Sequence, residues 1–279
     1  MSEVGTGPAQ SPRIASLVPS ATELLVALGL GPHLVARTGF CIHPREQVAG
    51  IPKVGGTKSV NLAKLRRLAP THVVVNVDEN EWPAVEALQE FVPHVVVTHP
   101  CSPEDNVALY RQLADTFGAL PGVRHRAEAL TQALQEQLAL TGPADARPRR
   151  AVLYCVWREP WMTVARDTYI SRLLALVNWQ TLPAIEGGPR GAARYPTFDW
   201  SAAWLSEVDE VLLSSEPYRF DASHRDGVAA LLAAAGHRAG VRMVDGELLS
   251  WWGSRAVDGV RYLRSLAADR RMNDVSLPP

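Results

Sequence analysis

Disulfide chemistry has little to work with in this chain. It holds three cysteines, Cys41, Cys101 and Cys155, an odd number in no compact spacing. Such a set is no disulfide framework, and it fits a reducing compartment better than an oxidising one. Long apolar runs are missing too. The first, residues 14–18, is interrupted by Pro19 and Ser20, and no segment is long and apolar enough to span a bilayer. The start, Met1-Ser2-Glu3-Val4-Gly5-Thr6-Gly7-Pro8, has neither the basic n-region nor the apolar h-region of a secretory signal. These absences together lead to the expectation of a soluble, cytoplasmic protein, with the periplasm as the alternative. An excess of one charge is also lacking. With 28 basic and 29 acidic residues the formal net charge is -1, which gives no electrostatic reason to expect nucleic acid or an anionic membrane as partner. The basic pairs Arg66-Arg67, Arg149-Arg150 and Arg270-Arg271 read as solvated faces.

Catalytic signatures are missing as well. The first strand-to-helix turn, Val18-Pro19-Ser20-Ala21-Thr22, has no Gly-x-Gly-x-x-Gly, so a dinucleotide site is not expected. Gly55-Gly56-Thr57-Lys58 has the wrong spacing for a phosphate loop. No Gly-x-Ser-x-Gly elbow and no pair of Cys-x-x-Cys motifs occurs. Cys41-x-His43 offers two metal ligands where a stable site needs three or four. Glu79-Asn80-Glu81 could meet a cation but reads as a solvated helix start, and His94 and His99 flank a strand as surface residues. The expectation is therefore a binding protein and not an enzyme. The enzymatic alternative is a chelatase-like metal or tetrapyrrole activity, for which Cys41, His43 and Glu79 are the candidate ligands.

What is present is core-forming sequence in a repeating order. Hydrophobic residues are 47% and charged residues 20%, enough to bury a sizeable core. Strand-like runs at residues 14–18, 34–36, 73–75 and 95–97 alternate with helical patterns at 20–30, 61–68, 82–91 and 103–117. In the first of these helices Ser20, with Glu23 three residues on, reads as a capping box. Continuous β-branched strands alternating with helices indicate a parallel sheet covered on both faces. A long helix is predicted over 123–140, with Val123, Ala127, Leu130, Leu134 and Leu138 on one face. The pattern then restarts, with strands at 151–156, 211–213 and 241–244 and helices at 169–177, 200–205, 227–235 and 257–267. The predicted fold class is α/β. It has a first Rossmann-like lobe over 1–121, a linking helix over 122–142 and a second Rossmann-like lobe over 143–279. A small ligand is expected in a cleft between the lobes, at the carboxyl ends of the strands.

Eight tryptophans is many for a chain that is 7% aromatic. Five of them, Trp157, Trp161, Trp200, Trp251 and Trp252, fall in or beside strand-end loops of the second lobe, although Trp200 and Trp204 can equally pack the lobe. Arg158, Arg194-Tyr195-Pro196, Glu216-Pro217-Tyr218 and Arg255 occupy the same loops. Aromatics interleaved with Arg and Pro on converging loops suit a flat, partly apolar ligand with polar edges. The rings would cover its face, while Lys58, Arg158, Arg194 and Arg255 would meet amides, carboxylates or phosphate at its rim.

Residues 13–24, Arg-Ile-Ala-Ser-Leu-Val-Pro-Ser-Ala-Thr-Glu-Leu, resemble the opening of the substrate-binding proteins of cobalamin and iron-siderophore ABC importers. Pro52-Lys53-Val54-Gly55-Gly56, Asn61-Leu62 and Leu68-Ala69-Pro70-Thr71-His72-Val73-Val74 extend the likeness, which runs to the last helix. The chain is thus identified with the helical-backbone metal receptor superfamily, and within it with the cobalamin-binding branch. The resemblance implies two Rossmann-like lobes joined by a backbone helix, and a metal chelate such as a corrinoid as ligand. It implies ligand contact for Phe40, Trp161 and Trp251. Beside these stand the loop residues Cys41, His43, Lys58, Trp157, Arg158, Arg194, Tyr195, Tyr218, Trp252 and Arg255. Thr57 and Asn76 occupy positions where the family has Trp, for which Trp157 and Trp252 could supply replacement faces. The family also docks on its permease through a glutamate on each lobe. Ala63 and Ser201 stand at those positions, with Glu207 near the second. The expectation is therefore a binder that stores, senses or hands over a corrinoid without docking on an importer. An importer receptor for cobalamin or a ferric siderophore is the alternative.

Overall fold

The structure is a computed structural model and describes residues 11–269. The N-terminal segment Met1 to Pro8 and the pair Arg270-Arg271 lie outside the described residues. The chain divides into two compact units, one of residues up to His99 together with Phe117–Arg126, the other of Pro100–Thr116 and residues 127 onward.

In the first unit the elements are β1 (Ile14–Ser16), α1 (Pro19–Ala27), β2 (Leu34–Arg37), α2 (Arg45–Val48), α3 (Leu62–Arg67), β3 (His72–Asn76), α4 (Trp82–Gln89) and β4 (His94–Thr98). The four strands form one parallel sheet in the order β2-β1-β3-β4. The valine runs of β3 and β4 lie in register, Val73 on Val95 through Val75 on Val97. Leu17, Ala36, Leu65, Val73, Val75, Val85 and Leu88 close into a buried core. In β3, residues 73–76 are all buried, and a residue buried on both faces of a sheet has no polar side to show, which is why that strand reads as an unbroken β-branched run. Asn61 caps α3 by accepting from the Lys64 backbone N–H at 2.9 Å. The expected capping box at Ser20 is not formed. Pro19 starts α1, Val18 holds the cap position without a side-chain bond, and Ser20 lies inside the helix. Proline's fixed φ suits the first helical position, so the helix begins there.

His72 and His94 sit opposite each other in this register and stack at 4.6 Å between ring centroids, with Phe117 4.9 Å from His72. Burial, and then the neighbouring His94, lower the His72 pKa below its ordinary 6.5. A histidine whose folded pKa is depressed makes the unfolded chain bind its proton first, so stability falls as pH drops below about 6.5. Thermal melts between pH 7.5 and 5 should show this loss, and His72→Gln should flatten that part of the profile.

Two helices follow β4: α5 (Asp105–Phe117) and α6 (Val123–Thr141). The sequence pattern has 103–117 closing the first lobe, but most of α5 belongs to the second unit. The reason is polar satisfaction. Tyr110, fully buried, donates its hydroxyl to the Gly253 carbonyl at 2.8 Å, and the Gly253 N–H donates to Asn106 Oδ1 at 2.6 Å. Gly253 adopts φ +78°, which glycine tolerates without steric cost. α6 begins in the first unit, where Arg126 Nε donates to the Leu28 carbonyl left open at the end of α1, at 2.6 Å.

The second unit continues with β5 (Arg150–Cys155), α7 (Tyr169–Ala175), β6 (Trp179–Thr181), β7 (Glu210–Ser214), α8 (Ala222–Ala234), β8 (Gly240–Val244), α9 (Gly246–Ser250) and α10 (Ala256–Ala268). Its parallel sheet has the order β6-β5-β7-β8. Leu153, Cys155, Leu205, Val211, Leu213, Phe220, Val228 and Leu232 form its core. Neither β6 nor α9 is evident in the sequence pattern, both being too short to show a period. The helix expected over 200–205 is a 3-10 turn, Ala203–Glu207. At the amino end of this sheet Glu210, 1% exposed, lies between Arg150 at 2.8 Å and Arg242 at 2.7 Å.

Candidate ligand-binding site

Each unit presents a loop face at the carboxyl ends of its strands, and the candidate residues distribute over these faces unevenly. In the first unit Phe40 follows β2 and is 63% exposed. A Cβ on Gly56 would lie 3.3 Å from the Phe40 ring, so the bare backbone of the Gly55-Gly56 loop lies beside it. Ile42, two residues on, is 50% exposed. Cys41 between them points the other way. It is fully buried, with Sγ 3.1 Å from Thr38 Oγ1, and burial pushes its thiol pKa up. A buried protonated thiol is no ligand for a chelate, and the expectation for Cys41 is corrected accordingly. Lys58 donates to the Asp78 carbonyl at 2.7 Å and lies 3.9 Å from Glu81, while Asp78 faces His99 at 3.5 Å. His43 and Glu79 are half-buried. The structure does not gather Cys41, His43 and Glu79 into a metal set: among the described residues no group of three or more His, Cys, Asp or Glu could hold a metal ion.

The two positions where the family has Trp carry a buried polar network instead. Asn80 Nδ2 donates to the Thr57 carbonyl at 2.9 Å, and Asn76 Nδ2 to the Thr98 carbonyl at 3.0 Å. The Asn76 side-chain oxygen accepts from the Asp78 N–H at 2.9 Å. These bonds fix the loop after β3.

In the second unit the aromatic side chains form one connected series. Trp157, at the end of β5 and 40% exposed, meets Tyr218 edge-on at 5.6 Å. Tyr218 leans on Phe220 at 4.7 Å, and Phe220 stacks on Trp161 at 5.6 Å. Trp161 in turn meets Trp200 at 5.1 Å, and Trp200 meets Phe198 at 5.1 Å. Trp157 is the exposed end of this series, while Trp161, Trp200 and Trp204 pack against the core. Arg158 pairs with its neighbour Glu159 at 3.3 Å and keeps 40% of its side chain exposed, and Tyr195 is half-buried.

Four expected contact residues are tied into the framework. Arg194 is 1% exposed; its guanidinium donates to the Gly188 carbonyl at 2.8 Å, lies 3.4 Å from Asp167 and reaches Cys101 Sγ at 3.4 Å. Through these bonds it braces the 183–195 loop. Trp251 and Trp252 are 7% and 6% exposed. The Trp251 indole N–H donates to Glu216 Oε1 at 3.2 Å, and Arg255 covers its ring at 4.7 Å while pairing with Glu247 at 2.6 Å. Burial raises the Glu216 pKa, and Ser250 donates to the same carboxylate oxygen. Trp251, Trp252 and Arg255 therefore form a locked layer around a buried carboxylate.

Asp167, Phe198, Phe220 and His224 are further site residues beyond those expected from the sequence, and Glu216 is expected only as a loop neighbour of Tyr218. Only His224 carries a local signal. Asp221-Ala222-Ser223-His224 opens α8, and the Asp221 carboxylate accepts from the Ser223 and His224 N–H groups. The Ser223 hydroxyl, which donates to the same carboxylate at 2.7 Å, and then the His224 N–H hold the Asp221 carboxyl at a pKa of about 2.

Comparison with known proteins gives a consistent result. The chain is 24% identical over 267 residues to an uncharacterized ABC transporter substrate-binding lipoprotein of Bacillus subtilis, an alignment spanning 90% of this chain and 78% of that protein. It is 27% identical over 170 residues to the vitamin B12-binding protein of Pectobacterium carotovorum, covering 61% of each. The crystal structure of the periplasmic vitamin B12 binding protein of Vibrio cholerae superposes with a TM-score of 0.76 over 92% of this chain and 96% of that one, at 18% identity. The periplasmic heme binding protein of the same organism does so with a TM-score of 0.71 over 92% and 99%, at 22% identity. At such identities the two structures speak for the fold alone. The relatives overturn the cytoplasmic expectation, because they are periplasmic proteins or lipoproteins and point to the extracytoplasmic side. The cysteine argument failed for a physical reason: Cys41 and Cys155 are buried in core, so they report packing and not the redox state of a compartment. The family described as periplasmic binding protein matches residues 14–216, most of the chain, and the chain belongs to that family.

Proposed function

We propose that this protein is the substrate-binding component of an ABC importer for a planar metal chelate, with a cobalamin-like corrinoid as its ligand, and that it performs no catalysis. The observation that carries the reading is the exposure of large rings where strand-end loops present them: Phe40 at 63% and Trp157 at 40%, the latter backed by Tyr218. Exposed aromatics at the carboxyl ends of parallel strands are costly in water and favourable against an apolar ligand face. The vitamin B12-binding relatives support the corrinoid, and the likeness to heme-binding structures makes ferric heme the competitor.

Titration with cobalamin, followed by tryptophan fluorescence and the corrin absorbance, tests the proposal. Trp157→Ala and Phe40→Ala are each expected to weaken binding about tenfold or more, as central aromatic anchors do, without lowering the melting temperature. Affinity no tighter than about millimolar for cobalamin and for heme alike would sink it.

The permease contact departs from the family's. Ala63 in α3 and Ser201, whose hydroxyl is held by Asp199 at 2.6 Å, offer no carboxylate to a permease arginine. Docking then relies on other charges, and Glu207, at the end of the 3-10 turn, is an acidic candidate near the second position. Ala63→Glu together with Ser201→Glu should raise affinity for a cobalamin permease of this family in a pull-down at low salt, and the gain should vanish at high salt.

A further inference from the structure

Tyr218 stands beside the exposed Trp157 with its hydroxyl already engaged. Its Oη lies 3.2 Å from His224 Nε2, and His224 Nδ1 lies 2.7 Å from Asp221 Oδ1. The direction of these bonds can be worked out. Nδ1 has two neighbours, the Asp221 carboxylate at 2.7 Å and the Asp221 backbone N–H at 3.2 Å. A bare Nδ1 would put its lone pair against a carboxylate oxygen at 2.7 Å. The shorter contact is therefore an N–H donated to the anion, which puts a proton on Nδ1. In that tautomer Nε2 is a bare acceptor, and it takes the Tyr218 hydroxyl hydrogen. With that hydrogen committed, Tyr218 Oη has only lone pairs left to offer a ligand.

We propose that Tyr218, set by His224 and Asp221, is a specificity-determining residue that presents an acceptor-only oxygen at the ligand-facing edge of the second unit. It selects chelates whose rim carries N–H donors, such as the carboxamides of a corrinoid, over chelates whose rim carries carboxylates, such as the propionates of a porphyrin. A carboxylate placed there meets lone pairs with no proton between them, a repulsive element against the wrong ligand. The Tyr218 ring is held in place by Trp157 on one side, Phe220 at 4.7 Å and the His224 ring edge at 5.5 Å, so Oη stays beside His224, and turning its hydrogen toward a ligand carboxylate would give up the His224 bond. This inference rests on the corrinoid reading above and adds to it the polarity of the rim.

The test uses cobalamin and the set of its monocarboxylates, in each of which one peripheral amide is hydrolysed and the shape is otherwise kept. Dissociation constants are measured for wild type, Tyr218→Phe and His224→Ala, each first checked for an unchanged melting curve. Wild type is expected to bind at least one monocarboxylate about fivefold more weakly than cobalamin, the worth of one hydrogen bond. Tyr218→Phe should lose that penalty by weakening cobalamin alone. His224→Ala, which frees the hydroxyl to donate, should shrink the penalty with Tyr218 still present. Equal binding of amide and carboxylate forms by wild type, or a penalty that survives Tyr218→Phe or survives undiminished in His224→Ala, overturns the inference and leaves the corrinoid reading standing. Failure of wild type to bind cobalamin at all overturns the reading itself, and this inference with it.

Discussion

Glu210→Ala is expected to destabilise the second unit by about 3–5 kcal/mol, because it strips the shared anion from two partly buried arginines. Glu210 begins β7, in the middle of the second sheet, flanked by β5 on one side and β8 on the other. Arg150 reaches it from β5 at 2.8 Å and Arg242 from β8 at 2.7 Å, and Arg242 also donates to the Leu266 carbonyl at 3.0 Å. The charge therefore ties three adjacent strands and the end of α10 at one point. Removing it leaves two guanidinium groups facing each other across a position 1% exposed. Glu210→Gln keeps the shape but loses the charge, and should recover only part of the loss. The decisive control replaces all three residues, Glu210→Leu with Arg150→Met and Arg242→Met. A buried ionic cluster exchanged whole for apolar side chains is often neutral, so the triple variant should be far more stable than Glu210→Ala alone. Urea denaturation followed by tryptophan fluorescence measures each step. A loss below about 1 kcal/mol for Glu210→Ala would show that water reaches the arginines and screens them.

Arg194→Ala has the second largest expected effect, again about 3–5 kcal/mol, and it bears on function by separating structure from ligand contact. The Arg194 guanidinium lies 3.4 Å from Asp167, and it also holds the Gly188 carbonyl. Asp167 in turn accepts from the Gly187 N–H at 2.8 Å. A Cβ on Gly187 would stand 2.4 Å from Arg194 Cα, so loop and arginine are fitted together without spare room. Loss of the side chain leaves Asp167 half-compensated and the loop unbraced. Lysine is no substitute, since a single ammonium cannot serve Asp167 and two carbonyls in a planar fork. If Arg194 acts as framework, Arg194→Lys should lower the melting temperature while the protein that remains folded binds cobalamin with its original affinity. A drop in affinity at unchanged stability would instead return Arg194 to the ligand rim.

Much of the architecture was legible along the chain because its causes are local. A valine run such as Val73-Val74-Val75 can bury both faces only in a covered sheet, and the 19-residue helix α6 announces itself by a long apolar stripe. Short elements escaped, since β6 has three residues and α9 five, fewer than a period needs to show. The start of α1 escaped because a serine and a glutamate three residues apart look like a capping box until Pro19 takes the first position. The assignment of α5 escaped for another reason: nothing local says that Tyr110 will meet Gly253, 143 residues away.

The same distinction decides the candidate site. Which residue types crowd the strand-end loops, aromatic with arginine and proline, is a property of the sequence, and it sufficed to point to a flat ligand with a polar rim. Which of those side chains meet solvent is not. Trp157 and Trp251 occupy similar loop contexts, yet one is 40% exposed and the other 7%. Trp251 is claimed by Glu216 together with its near neighbour Arg255, and Arg194 by Asp167, and both carboxylates come from other segments of the chain. Phe40 and Trp157 stay 63% and 40% exposed. The sequence by itself determined two parallel α/β sheets, one long helix and an aromatic, arginine-bearing set of loops, because periodicity and residue type act within a few positions. Only the tertiary structure decided which rings stay open, which charges are locked and how Tyr218 is polarised, because burial and hydrogen-bond direction depend on neighbours far along the chain.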